Sequence, residues 1–220
     1  ACGGFMITAI ILAGGSSLRF GGDTPKQFTQ IAGRSLLDFS VSTFSSTPAI
    51  DNIIIVVPIQ FEDKLKAKYP NHKIIVGGQT RKDSSFNGLL ACSTSTKKVL
   101  IHDAARIFIT QNLIENCIMA LSNADSVTLA IPAIDTIAIQ KDNIITKMDE
   151  RSSMIAIQTP QGFDYSKICF AHNNYKGNAT DDMRLMFELG YKCKVIRGHE
   201  DNYKITTMKD FQRSQAIVKE

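Results

Sequence analysis

The chain has 220 residues, 44% of them hydrophobic and 21% charged, with 25 basic against 21 acidic side chains. This suits one domain over 1–220 with a sizeable core and argues against disorder; a net charge of +4 is too mild to imply nucleic acid, and no apolar run reaches the roughly 18 residues needed to cross a bilayer. Five scattered cysteines, Cys2, Cys92, Cys117, Cys169 and Cys193, form no C-x-x-C pair and read as reduced thiols of a cytoplasmic protein.

In chain order, "ACGGF" reads as an added or ragged start before Met6, without the regions of a signal peptide. Strand-like runs follow at 8–13, 52–58, 72–78, 97–103 and 126–133, rich in Ile and Val and continuous rather than alternating, as strands buried on both faces are. Helix-like stretches at 34–46, 60–69, 80–94 and 110–122 separate them. The alternation predicts an α/β fold with a mostly parallel sheet and helices on both faces. The regularity breaks after Pro132, where "TIAIQ" and "IITKM" around "KDN" predict a hairpin within 134–158. Two short strands cannot make a core alone, so this β-arm has to fold onto the domain or onto another subunit. Helices return at 164–175 and 180–189, a strand at 192–196 and a last helix near 207–219.

Ligands of open α/β sheets sit beyond the carboxyl ends of the strands. Those loops read "AGGSSLRFGGDTPK", "GGQTRKDSS", "HDAAR" and "PAIDT", and supply Arg19, Lys26, Arg81, Asp103 and Arg106 at one edge. The first loop lacks both G-x-x-x-x-G-K-[ST] and G-x-G-x-x-G, but Gly14 and Gly15 let backbone N–H groups approach an anion. Asp103, at the end of a buried strand, suits a divalent metal, with a helix N-cap as the plain alternative. Asp201 and Lys204 in "HEDNYKI" add a second carboxylate and a further cation. "TDD" at 180–182 reads first as an N-cap followed by first-turn acids.

Together "AGGSSLRFGGDTPKQF", "GGQTRKDSSFNGL", "VLIHDAAR", "DT", an arginine before "QTPQGF", "TDD" and "DNYKIT" resemble the 2-C-methyl-D-erythritol 4-phosphate cytidylyltransferases, from about Thr8 to the last helix. The resemblance implies a Rossmann-like nucleotidyltransferase fold (GT-A-like) whose β-arm clasps a partner in a homodimer. It implies transfer of CMP from CTP to a sugar-alcohol phosphate in the non-mevalonate isoprenoid pathway, with release of pyrophosphate and use of Mg²⁺ or another divalent cation. By position, Ala13, Gly14 and Gly15 approach the nucleotide, with Arg19 and Lys26 on the triphosphate. Gly78, Gln79 and Ser84 lie at the base and ribose, and Ala104 near the ribose. Asp103 and Asp201 face the metal. Arg106, Asp135, Thr136, Arg151 and Thr159 form the acceptor site, with Thr136 and its neighbours reaching from the partner's arm. Lys204 sits at the α-phosphate. Arg19, Lys26 and Lys204 are the residues expected to carry the chemistry.

Three positions depart from the family pattern. Gln79 stands where many relatives carry an acid, and Ile107 where a proline often follows the arginine. "LAGG" resembles the sister enzymes that act on ribitol 5-phosphate, whereas the Arg81–Ser84 run and "TDD" favour methylerythritol phosphate. Ribitol-5-phosphate cytidylyltransferase is therefore the alternative, and a non-catalytic nucleotide-binding regulator a second. A phosphate acceptor is largely a dianion at pH 7 and needs no general base, which leaves charge neutralisation and alignment as the work of the site. His102, beside Asp103, reads as structural.

Overall fold

A computed structural model describes residues 6–14 and 25–219. Eleven strands run in chain order as β1 Met6–Leu12, β2 Gln30–Ile31, β3 Arg34–Ser35, β4 Asn52–Val57, β5 Lys73–Val76, β6 Thr96–Asp103, β7 Ser126–Pro132, β8 Ala138–Lys141, β9 Ile144–Met148, β10 Ile155–Asp164 and β11 Cys193–Arg197. The helices are α1 Leu36–Ser45, α2 Glu62–Lys68, α3 Arg81–Leu90, α4 Gln111–Ala120, α5 Tyr165–Asn174, α6 Asp182–Glu188 and α7 Met208–Lys219. Seven strands form the central sheet in the order β11-β7-β10-β6-β1-β4-β5. All neighbours are parallel except β10, which runs antiparallel to both β6 and β7.

Continuous apolar strands are explained by burial on both faces. Along β1, Ile7, Ala9 and Ile11 pack with α1 and α4, while Ile10 and Leu12 pack with α3, α5 and α6. A third cluster joins Phe211 of α7 to Ile31, Leu36, Ile107 and Ile205. Gly88 fixes how close α3 lies to the sheet: a Cβ there would sit 2.6 Å from Ile10 Cγ2 and 3.1 Å from Val56 Cγ2. That approach sets the height of the α3 N-terminus over the strand ends.

The five apolar runs are strands and the helix-like stretches are helices, each within a few residues of expectation. The hairpin also forms, with Asp142 (φ 52°) and Asn143 (φ 62°) supplying the positive φ angles of a two-residue turn. The short strands β2 and β3 are not expected from the sequence, and one long strand departs from the sequence reading. Residues 155–158, placed at the end of the arm, begin β10, which continues through "TPQGF" to the middle of the sheet. The arm proper therefore lies between β7 and β10, and its Ile139, Ile144, Ile145 and Met148 are exposed.

Helix α1 opens with a capping box in which Ser35 Oγ accepts from Asp38 N and the Asp38 carboxylate accepts from Ser35 N at 2.8 Å. Asp38 also accepts from Lys68 Nζ at 2.7 Å and from the Tyr69 hydroxyl. Burial raises its pKa, but the hydrogen bonds from Lys68, Tyr69 and Ser35 outweigh burial and bring it from 3.8 down to about 2. A depressed carboxylate stabilises the fold above its unfolded pKa and loses that contribution as pH falls toward its folded one. Asp38→Ala should cost about 0.5–2 kcal/mol at pH 7, with the gap to wild type narrowing below pH about 4; denaturant midpoints measured from pH 7 downward check this.

Candidate active site

The carboxyl ends of β1 and β6, the α3 N-terminus and the segment after β11 enclose a cleft of about 500 Å³. Its far wall is the loop before α3, where Gly78 N donates to Ser84 Oγ at 3.1 Å. A Cβ on Gly78 would lie 2.3 Å from Asp83 Cβ, so glycine is what lets this backbone fold over the first turn of α3. Thr80 caps that turn with a capping box to Asp83. At the opposite wall, buried Gln27 donates from Nε2 to Ala13 O at 2.5 Å, and Lys26 Nζ donates to Ile205 O at 2.7 Å. These bonds tie the beginning and end of the glycine-rich loop together and to the 199–205 segment.

Asp103 forms the cleft floor. Its Oδ2 accepts from Lys204 Nζ at 2.7 Å and its Oδ1 from Arg81 Nε at 3.3 Å. Burial pushes the carboxyl up, yet Arg81 and Lys204 hold it well below the usual carboxylate range. Its backbone N–H donates to Thr159 Oγ1 at 3.1 Å. Arg106 O can only accept, so the neutral His102 donates to it from Nε2–H at 3.3 Å and its Nδ1 accepts from the Thr159 hydroxyl at 3.0 Å. Burial pushes His102 down to about 3, and it is a neutral spacer, as the sequence suggests. Arg106 donates to Asn202 O at 2.8 Å and to Ile157 O at 3.4 Å, while Asn202 Nδ2 donates to Thr159 O at 2.9 Å. This lattice clamps the 199–205 segment, and with it Lys204, against β10.

Of the residues singled out from the sequence, Ala13, Gly14, Lys26, Gly78, Gln79, Arg81, Ser84, Asp103, Ala104 and Lys204 line this one cleft. Gly15 and Arg19 lie outside the described residues. Thr159 stands directly behind Asp103, and Arg106 is turned onto the two carbonyls. Asp135, Thr136 and Arg151 are exposed on the arm, none of them lining the cleft, and Arg151 Nη1 donates to Ile134 O at 3.5 Å. Asp201 is exposed, its carboxylate pairs with Arg213 at 3.5 Å and its backbone N–H donates to His199 Nδ1 at 3.2 Å, so it and Asp103 have separate partners. Among the described residues no group of three or more His, Cys, Asp or Glu could hold a metal ion by itself. Magnesium, however, usually takes one or two carboxylates and completes its shell with substrate phosphates and water, and Asp103 at the floor of a cation-lined cleft fits that donor set. Sequence reasoning missed Gln27 and Asn202, whose value lies in contacts far along the chain, and left Arg81 without a role although its loop was recognised. Thr159→Val would strand the buried Asp103 N–H and should cost about 1–3 kcal/mol; Thr159→Ser, which keeps the hydroxyl, should cost less in the same denaturant titration.

The chain matches the family described as "IspD: 2-C-methyl-D-erythritol 4-phosphate cytidylyltransferase" over residues 7–220. It is 37% identical to the 2-C-methyl-D-erythritol 4-phosphate cytidylyltransferase of Caldicellulosiruptor bescii, across 96% of both chains. It is 35% identical to that of Alkaliphilus oremlandii, across 96% of this chain and 94% of the relative. Among solved structures, the 4-diphosphocytidyl-2C-methyl-D-erythritol synthase of Anaerococcus prevotii superposes with a TM-score of 0.88 at 30% identity, covering 99% of this chain and 97% of the other. The cleft and these matches agree: the chain belongs to the 2-C-methyl-D-erythritol 4-phosphate cytidylyltransferase family.

Proposed function

We propose that the chain transfers CMP from CTP to 2-C-methyl-D-erythritol 4-phosphate and releases pyrophosphate, with the cleft around Asp103 as the nucleotide site. The observation that carries this reading is the charge pattern of the cleft in a chain of this family: one buried carboxylate, Asp103, bracketed by Lys204 and Arg81, with Lys26 on the opposite wall. Ala13, Gly14, Gly78, Gln79, Ser84 and Ala104 give the cleft small or neutral walls where a nucleoside can lie against backbone. Lys26 and Lys204 neutralise the triphosphate and hold the α-phosphorus open to in-line attack. Gly15 and Arg19 are assigned to the same triphosphate.

The acceptor phosphate is the nucleophile. It is already ionised at pH 7, so no side chain has to remove a proton, and His102 remains neutral and occupied by Thr159 and Arg106 O. Asp103, with Asp201 as the second carboxylate, would hold the divalent cation. When bound, that cation offsets the charge of the triphosphate and of the leaving pyrophosphate. Arg106, Asp135, Thr136, Arg151 and Thr159 are assigned to the acceptor. Three of these sit on the arm, outside the cleft of their own chain, which supports a homodimer whose arms complete each other's acceptor sites. The exposed Ile139, Ile144 and Ile145 supply the apolar surface for that contact. No helix among the described residues is long and apolar enough to cross a membrane, and the cytoplasm is the compartment proposed.

Pyrophosphate release with CTP and Mg²⁺ should require methylerythritol 4-phosphate, with ribitol 5-phosphate and no acceptor as comparison arms. Preference for ribitol 5-phosphate would move the chain to the sister activity, and no release with any acceptor would sink the reading. Lys26→Ala should lower turnover roughly 10²–10³-fold, the scale for one preorganised transition-state stabiliser. The full chain should sediment as a dimer at micromolar concentration. Replacing Ile139, Ile144 and Ile145 together by Ser should give a monomer with weakened acceptor binding, and an unchanged sedimentation coefficient would argue against the arm as the interface.

A further inference from the structure

The "TDD" segment does more than begin a helix. Asp181 does cap α6, its Oδ1 accepting from Met183 N at 2.9 Å. Asp182 has a different set of partners. It is 1% exposed, and its carboxylate accepts from Arg81 Nη1 at 2.6 Å, Ser85 Oγ at 2.7 Å and His172 Nε2 at 3.0 Å. Arg81 and Ser85 are four residues apart on α3 and project from one face of it. His172 comes from α5 and is itself fixed by stacking on Phe86, with ring centroids 5.3 Å apart and planes within 5°. Three elements thus converge on one buried anion.

Arg81 faces two ways. Its Nε donates to Asp103 at 3.3 Å while its Nη1 donates to Asp182 at 2.6 Å. The chain of charges runs Asp182, Arg81, Asp103, Lys204, from the interior to the cleft. We infer that Asp182 is a positioning residue for nucleotide transfer: by anchoring the Arg81 guanidinium it sets where the Asp103 carboxylate stands and how much of its charge faces the cleft. The inference deepens the proposed function and rests on it. Without Asp182, the carboxylate left hydrogen-bonded to Arg81 among the described residues is Asp103, and the fork would turn onto the carboxylate that Lys204 and the incoming cation–nucleotide complex also need. Lysine cannot take over, because a point charge does not reach two carboxylates at the two ends of a planar fork.

The plain alternative is a buried ion pair that only holds α3, α5 and α6 together. The two differ in whether the effect of Asp182 passes through Arg81. Asp182→Asn keeps the shape and removes the charge. It should weaken CTP binding in the presence of Mg²⁺, measured calorimetrically without acceptor, by about tenfold, within the range of coupling between contacting residues, and lower kcat/KM for CTP in parallel while the acceptor KM stays put. In an Arg81→Ala background the same substitution should add little further loss. Arg81→Lys should not restore binding to Asp182→Asn or to wild type. If Asp182→Asn does not fold, Ser85→Ala removes one donor from the same carboxylate and should produce a smaller loss that likewise disappears with Arg81→Ala. Equal losses in the two backgrounds, or wild-type CTP binding in a folded Asp182→Asn, would overturn the positioning role while wild-type turnover leaves the proposed function standing. Absence of wild-type turnover with CTP would overturn the function and this role with it.

Discussion

The Asp103 carboxylate and its two cations are the interaction on which the rest of the site depends. A carboxylate buried at a strand end would ordinarily take up a proton rather than stay charged in a poor dielectric. Lys204 and Arg81 prevent that, and they arrive from opposite directions in sequence. Arg81 comes from the first turn of α3, whose height is set by Gly88 against β1 and β4. Lys204 comes from a segment that Arg106 and Asn202 pin to β10. The floor of the cleft is therefore built from four elements, β6, β10, α3 and the segment after β11, and none of them can shift without changing the charge at Asp103.

The architecture was legible where hydrophobic patterning was strong. β1, β4 and β6 carry the continuous apolar stretches Ala9–Leu12, Ile53–Val57 and Val99–Ile101 because each packs helices on both faces. β10 was not legible for the converse reason. It lies between β6 and β7, yet reads "IAIQTPQGFD", with two glutamines, a proline and a glycine. Those residues have local explanations that sequence alone cannot supply. Gln158 donates to His199 O and accepts from Asn202, and Gln161 donates to Asp181. Gly162 leaves room for Cys117 and Leu100, each 3.1 Å from where its Cβ would be. A strand whose polar residues find their partners at distant positions looks like a loop until the partners are known.

The site shows the same boundary. Loops at strand ends could be listed because topology directs them to one edge, and ten of the residues named in them, Arg81 included, do line one cleft. Asp182 could not be separated from an ordinary first-turn acid. Its partner Arg81 is 101 positions away, and the pairing depends on α3, α5 and α6 packing against one face of the sheet. Arg106 was visible as a cation at the right edge, but its hydrogen bonds to two carbonyls are a property of the folded backbone and leave no trace in residue type.

The two halves of the site also differ in how they are held. The floor and one wall of the cleft proposed for the nucleotide are held by buried groups locked by side-chain-to-backbone bonds, as at Gln27, Thr159 and Asn202. The arm residues proposed for the acceptor, Asp135, Thr136 and Arg151, are exposed, and Arg151 Nη1 donates to Ile134 O at 3.5 Å. A two-stranded hairpin is marginal by itself, and this one carries its isoleucines uncovered. Its geometry thus depends on whatever packs against it, whereas the nucleotide cleft depends on the core. Substitutions in the arm would then leave Asp103 undisturbed. A substitution at Gly88 or Asn202 would reach the nucleotide cleft first, through α3 or through the segment that carries Lys204.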